Sequence, residues 1–142
     1  GALKNVIAIA SGIILGRELG RNASAALLSW GLQEIKSLGV AMGGRSETFL
    51  SLAGVGDLIL TCSSAESRNT SLGIALGRGV ALKEILSSRK NVCEGVYTAA
   101  AVHNLSKRYG LIMPICETVY QVLQENINID SAVQILIGAG SV

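Results

Sequence analysis

The chain is poor in the residues on which metal, disulfide and nucleic-acid chemistry depend. It has one histidine, one proline, one tryptophan and one phenylalanine, and aromatics make up 4% of its residues. A lone His103 has no second imidazole to share a metal ion. Cys62, Cys93 and Cys116 are odd in number, widely spaced and outside any C-x-x-C pattern, so no metal site and no disulfide framework is indicated. A cysteine set without a disulfide pattern points to the reducing cytosol, giving a cytoplasmic protein. The 12 basic and 10 acidic residues leave a net charge of +2 with no run of Lys or Arg. With few aromatics to stack on bases, nucleic acid is not an expected partner. The most apolar stretch, residues 6–15, falls well short of the ~20 residues that span a bilayer. A single preceding lysine and the lack of an A-x-A site after it also exclude a signal peptide.

What is present is apolar and helical. At 142 residues, 49% of them hydrophobic and 15% charged, the chain fits one domain able to bury roughly two thirds of its unfolded surface. The apolar excess suggests a surface that needs a partner. From Leu3 to about Leu15 nearly every residue is apolar or small, which suits a helix buried on all sides. Gly12, Gly16 and Gly20 recur every four residues. They either form a stripe that admits another backbone or, in the case of Gly16 and Gly20, end the helix.

Asn22 is placed to cap a second helix running to Met42, with Leu28, Leu32, Ile35 and Met42 on one face and Gly43-Gly44 as its stop. Ser46 caps a short helical turn to Leu50, and Gly54-Val55-Gly56-Asp57 forms a tight loop. Residues 58–62 could be a strand, but one with nothing to pair with. A helix bearing Leu72 and Leu76 and ending at Gly77 or Gly79, a short one over residues 81–87, and one over residues 96–109 with Val102, Leu105 and Tyr109 follow. Pro114 starts a helix with Val119, Val122 and Leu123 inward, and Asp130 caps a last one with Val133 and Ile137. The class is all-α, a single domain over residues 1–142. Residues 73–79 follow no strand, so their glycines are not a dinucleotide fingerprint.

Lys4 stands out because an ammonium among Leu3, Val6, Ile7 and Ile9 must pair, reach water along its stem, or lose its proton. Asp57 reads as a turn or cap residue, Ser67 as a helix cap, Arg68 as a solvated charge and Asn5 as a buried helix-to-helix hydrogen-bonder. Glu94 suits a helix start for dipole reasons alone. His103 is expected at a boundary, and the cysteines as small buried hydrophobes.

Taken together, four motifs in order narrow these readings. They are residues 1–9 (Gly-Ala-Leu-Lys-Asn-Val-Ile-Ala-Ile), residues 52–62 with Gly54-Val55-Gly56-Asp57, Ser67-Arg68-Asn69, and Val92-Cys93-Glu94-Gly95, with Met113-Pro114-Ile115 near the end. The chain resembles the C-terminal domain of bacterial NAD(P)-dependent glycerol-3-phosphate dehydrogenase over essentially its whole length. The resemblance implies a multi-helix fold of the 6-phosphogluconate-dehydrogenase C-terminal-like type. It also implies an N-terminal Rossmann domain absent from this chain, and a reaction interconverting dihydroxyacetone phosphate and sn-glycerol 3-phosphate for phospholipid synthesis.

By the same resemblance Lys4 is the general acid/base. Lys4, Asp57, Ser67, Arg68 and Asn69 hold the small phosphorylated substrate, Arg68, Val92 and Glu94 touch NAD or NADP shared with the missing domain, and Asn5 beside Lys4 either orients the substrate or only bonds between helices. A homodimer is among the partners it admits. The physical chemistry agrees, since an ammonium aimed at a carbonyl oxygen stabilises the charge that hydride addition creates and supplies the proton. Thr70, Ser71 and Trp30 stand where relatives often carry basic residues, and Leu15 where an acidic one is usual, which alters the field around the site. The competing readings are a reductase for another small keto substrate, and a non-catalytic helical module in which Lys4 is merely solvated.

Overall fold

The computed structural model describes residues 3–44, 58, 59, 62, 67–88 and 94–139. Seven helices are traced among them: α1 Leu3–Gly16, α2 Arg21–Ala41, α3 Arg68–Gly77, α4 Leu82–Ser87, α5 Glu94–Tyr109, α6 Pro114–Leu123 and α7 Ile129–Ile137. The expected all-α class holds for them. Leu58, Ile59 and Cys62 are helical too, so the strand considered there is not formed at the described positions. The helical turn expected at residues 46–50 and the loop at 54–57 lie outside the described residues.

α1 is the central element. Every residue from Val6 to Ile14 is buried, a full helical circumference that no charged side chain interrupts. It packs most extensively on α3, then on α5 and α2, and reaches α6. The contact with α3 is made by backbone. A Cβ on Gly12 would lie 2.2 Å from the Thr70 carbonyl oxygen, and one on Gly73 only 2.0 Å from that of Ile9. One turn further, a Cβ on Gly16 would lie 2.3 Å from the Ile74 carbonyl oxygen and one on Gly77 2.4 Å from that of Ile13. The pairing climbs both helices together, so α1 and α3 run parallel with their N-termini at the same end. Gly12 and Gly16 are therefore the stripe, Gly16 also ends α1, and Gly20 lies outside it.

α2 corrects two expectations. Its N-cap is Gly20, at φ 92°, and Asn22 lies inside the first turn, because the chain leaves Leu19 through a left-handed bend that a glycine accepts freely. Its buried face carries Leu27, Gly31, Glu34 and Leu38. Leu28, Leu32 and Ile35 sit at the edge of that face, and Met42 is 56% exposed. Gly31 is buried because the Ile7 side chain fills the place of its Cβ, at 2.7 Å.

The buried Glu34 caps another helix. Pro114 opens α6 without a side-chain cap of its own. The Glu34 carboxylate accepts the N–H groups of Ile115 at 2.8 Å and Cys116 at 3.0 Å, two donors that a helix start leaves unpaired. Burial raises the Glu34 pKa above its ordinary 4.5, opposed by the hydrogen bonds from the Cys116 and Ile115 amides. Burial, followed by the neighbouring Glu34 charge, pushes the Cys116 thiol well up, so Cys116 is an inert buried hydrophobe, as is the fully buried Cys62. Cys93 lies outside the described residues.

α5 and α6 are joined at a boundary by His103, whose Nδ1 lies 2.7 Å from Glu117 Oε2 and whose ring stacks on Tyr120 at 3.9 Å. α7 is capped by Asn128, which accepts the Ser131 N–H at 2.8 Å. The expected cap, Asp130, instead pairs with Arg17 from beyond the end of α1. Leu136 rather than Ile137 faces inward, the latter being 44% exposed.

Two stability measurements follow from this packing. Gly73→Ala forces a methyl into backbone and should cost about 3 kcal/mol or more, read from the urea midpoint at constant m. Gly138→Ala, whose nearest new contact is 3.4 Å, should stay within about 0.5 kcal/mol of the parent. A mild Gly73→Ala would mean that the helices can separate without loss. Glu34→Ala orphans two buried donors and should cost about 1–3 kcal/mol. Because the folded Glu34 pKa is raised, its contribution is full below 4.5 and falls as pH rises through the raised value. The gap between parent and Glu34→Ala should therefore narrow on going from below 4.5 to neutral pH.

Candidate active site

The parallel crossing sets three helix starts side by side. Lys4 and Asn5 lie in the first turn of α1, Arg68 and Asn69 open α3, and Glu94 and Gly95 open α5. A Cβ on Gly95 would lie 2.6 Å from Asn69 Oδ1, 2.7 Å from Ile9 Cδ1 and 3.1 Å from the Asn5 carbonyl oxygen. Only a glycine lets α5 come down onto the junction of α1 and α3. Unpaired N–H groups at helix starts carry partial positive charge and favour an anion. Neither α1 nor α3 has an acidic residue in its first turn to neutralise that charge.

Each side chain there is held by a neighbour from another part of the chain or by its own helix. Ser67 is the N-cap of α3, its Oγ accepting the Thr70 N–H at 3.4 Å. Asn69 is 8% exposed, and its Oδ1 accepts the Gly95 N–H at 3.0 Å. Asn5 is half-buried and donates through Nδ2 to Glu94 Oε2 at 3.1 Å. Arg68 and Glu94 are exposed at the same end, while Lys4 is half-buried and engaged with other groups. Lys4 thus sits between core and surface.

Of the residues expected from sequence, Lys4, Ser67, Arg68, Asn69 and Glu94 are placed at these three adjoining helix starts, and Asp57 and Val92 lie outside the described residues. Gly95 has no role in the sequence reading, whereas Asn5, read there as a helix-to-helix hydrogen-bonder or a group that orients the substrate, bonds across to Glu94 at the start of α5. The Glu94-Gly95 motif carried the signal for the first, but its amide donor and its lack of a Cβ become meaningful only once Asn69 is beside it. No group of three or more His, Cys, Asp or Glu among the described residues is arranged to hold a metal ion, and none of the described helices is long and apolar enough to cross a membrane.

Comparison with known proteins bears on the chemistry. Residues 1–134 match the family described as NAD-dependent glycerol-3-phosphate dehydrogenase C-terminus. Glycerol-3-phosphate dehydrogenase [NAD(P)+] of Maricaulis maris is 50% identical over 137 residues, 96% of this chain and 41% of that protein. The Rhodospirillum rubrum protein of the same name is 52% identical over 137 residues, 96% of this chain and 39% of that one. The crystal structure of glycerol-3-phosphate dehydrogenase from Coxiella burnetii superposes with a TM-score of 0.90 at 43% identity, covering 96% of this chain and 42% of the other. The chain therefore spans about two fifths of the length of these relatives. It belongs to the family of NAD-dependent glycerol-3-phosphate dehydrogenase C-terminal domains.

Proposed function

We propose that this chain is the substrate-holding, helical part of an oxidoreductase that interconverts dihydroxyacetone phosphate and sn-glycerol 3-phosphate with NAD(H) or NADP(H). A dinucleotide-binding domain N-terminal to it completes the enzyme. The observation that carries this reading is the meeting of three helix starts around Lys4, Asn5, Arg68 and Asn69. Phosphate is the ligand such a place suits, with Arg68 offering a planar fork of donors and the α3 start its backbone dipole. Ser67 holds that start in shape by capping it.

The donor set also suits a nicotinamide dinucleotide. An exposed guanidinium at Arg68 matches its phosphates, and the Glu94 carboxylate is an acceptor for its carboxamide. When bound, the cofactor supplies or receives the hydride. In the reducing direction the Lys4 ammonium donates a hydrogen bond to the carbonyl oxygen of the substrate, stabilises the negative charge that grows there and passes its proton to that oxygen. In the oxidising direction neutral Lys4 removes the hydroxyl proton. Asp57 is the residue proposed to hold the lysine or a substrate hydroxyl, and Val92 to line the cofactor. The buried thiols of Cys62 and Cys116, neither of them in a disulfide, suit a reducing cytosol, where the product feeds glycerophospholipid synthesis.

Lys4→Ala in the complete enzyme should lower kcat by about 10²–10⁴-fold with little change in thermal midpoint. Dihydroxyacetone, which lacks the phosphate, should be reduced far more slowly than its phosphate ester. Near-normal turnover by Lys4→Ala would leave a non-catalytic module as the better reading. Equal rates on the two substrates would favour a reductase for another small keto compound.

A further inference from the structure

The two asparagines at the helix junction present opposite atoms to the start of α5, and the chemistry of their partners decides which. A backbone N–H donates only, so the Asn69 atom turned to Gly95 at 3.0 Å is the side-chain oxygen. The Asn69 NH2 group is then the arm left over. A carboxylate accepts only, so the Asn5 atom turned to Glu94 Oε2 at 3.1 Å is Nδ2, and its carbonyl oxygen is the arm left over. Both constraints come from consecutive residues at the start of α5, which Gly95 brings into contact with α1 and α3.

We infer that Glu94 and the Gly95 N–H are positioning groups that fix the polarity of the substrate site, turning Asn69 into a donor and Asn5 into an acceptor. This rests on the substrate site proposed above. An amide NH2 at the α3 start suits the oxygens of a phosphate, whereas an amide oxygen beside Lys4 suits a hydroxyl of the carbon skeleton or the ammonium of Lys4. With both amides locked, the site reads the substrate end for end: the anion belongs at α3 and the hydroxyl-bearing carbons at α1. A free asparagine could rotate to suit either orientation, at the cost of that discrimination.

The test uses the complete enzyme, with inorganic phosphate as a competitive probe of the anion end and dihydroxyacetone phosphate as the full substrate. Asn69→Asp keeps an acceptor for the Gly95 N–H but replaces the NH2 with an oxygen. It should hold the thermal midpoint of the parent while weakening both inorganic phosphate and substrate by about 10- to 100-fold. Asn69→Leu, which accepts nothing, should lower the midpoint. Glu94→Ala should leave the inhibition constant of inorganic phosphate within about twofold of the parent and, at saturating cofactor, raise KM for the substrate by about tenfold. Glu94→Gln, whose side-chain carbonyl accepts the same hydrogen bond, should restore most of that loss.

The inference is overturned if Asn69→Asp binds inorganic phosphate as well as the parent, or if Glu94→Gln is no better than Glu94→Ala. Should Asn69→Asp fail to fold, the Glu94 pair alone decides. Failure of the underlying site reading has a different sign: the parent enzyme itself would turn over unphosphorylated dihydroxyacetone as fast as the phosphate ester, and the inference would fall with it.

Discussion

Backbone touches backbone where α1 crosses α3, and the other parts of the site take their places from that contact. With Gly12 and Gly16 against Gly73 and Gly77, carbonyl oxygens of each helix occupy the space where the other would carry a Cβ. A contact made through side chains can slide by a rotamer change, but one made through main chain has a single register, because the interior is close-packed and has no slack to absorb a shift. The register puts residue 5 level with residue 69. It brings two helix starts to one end of the molecule, and α5 then joins them through the one residue, Gly95, that has no side chain to hold it off.

The consequence is a division of labour along α1. Residues 6–14 are wholly buried and give the core its apolar mass. Lys4 and Asn5, a turn earlier, project from the same rigid helix at the boundary. For the proton transfer proposed for Lys4, a lysine on an exposed loop would bring mobility and hydration that delivery to a defined atom must avoid. Here the nine buried residues behind it anchor its backbone, and Glu94 at the start of α5 holds its neighbour Asn5. Glu34 does comparable work where α2 meets α6, a buried carboxylate taking over the capping that Met113 and Pro114 cannot supply.

Much of this was readable before any coordinates. The unbroken apolar run gave α1 as an all-round buried helix, and the glycine stripe gave one of its two candidate meanings. Residue types at helix ends were less informative, since Asn22 and Asp130 are good capping residues but Gly20 and Asn128, two positions earlier, hold the cap geometry. The face of α2 was misjudged by one residue because two of its inward positions are Gly31 and Glu34, neither of which registers as apolar. As candidates, Lys4, Ser67, Arg68, Asn69 and Glu94 were legible through ordered motifs. The hydrogen bonds from Asn5 to Glu94 and from Gly95 to Asn69 were not, because each joins residues far apart in the chain whose meeting depends on the glycine crossing. No local pattern encodes that meeting.

The position of the phosphate decides the proposed function most directly. A crystal structure of the complete enzyme with sn-glycerol 3-phosphate and oxidised cofactor measures this directly. The expected result has phosphate oxygens within hydrogen-bond distance of the Arg68 guanidinium and Asn69 Nδ2, with the C2 hydroxyl against Lys4 Nζ and the Asn5 oxygen turned toward the glycerol carbons. A phosphate bound away from the start of α3, or a ligand reversed so that its hydroxyl end meets Asn69, would contradict it.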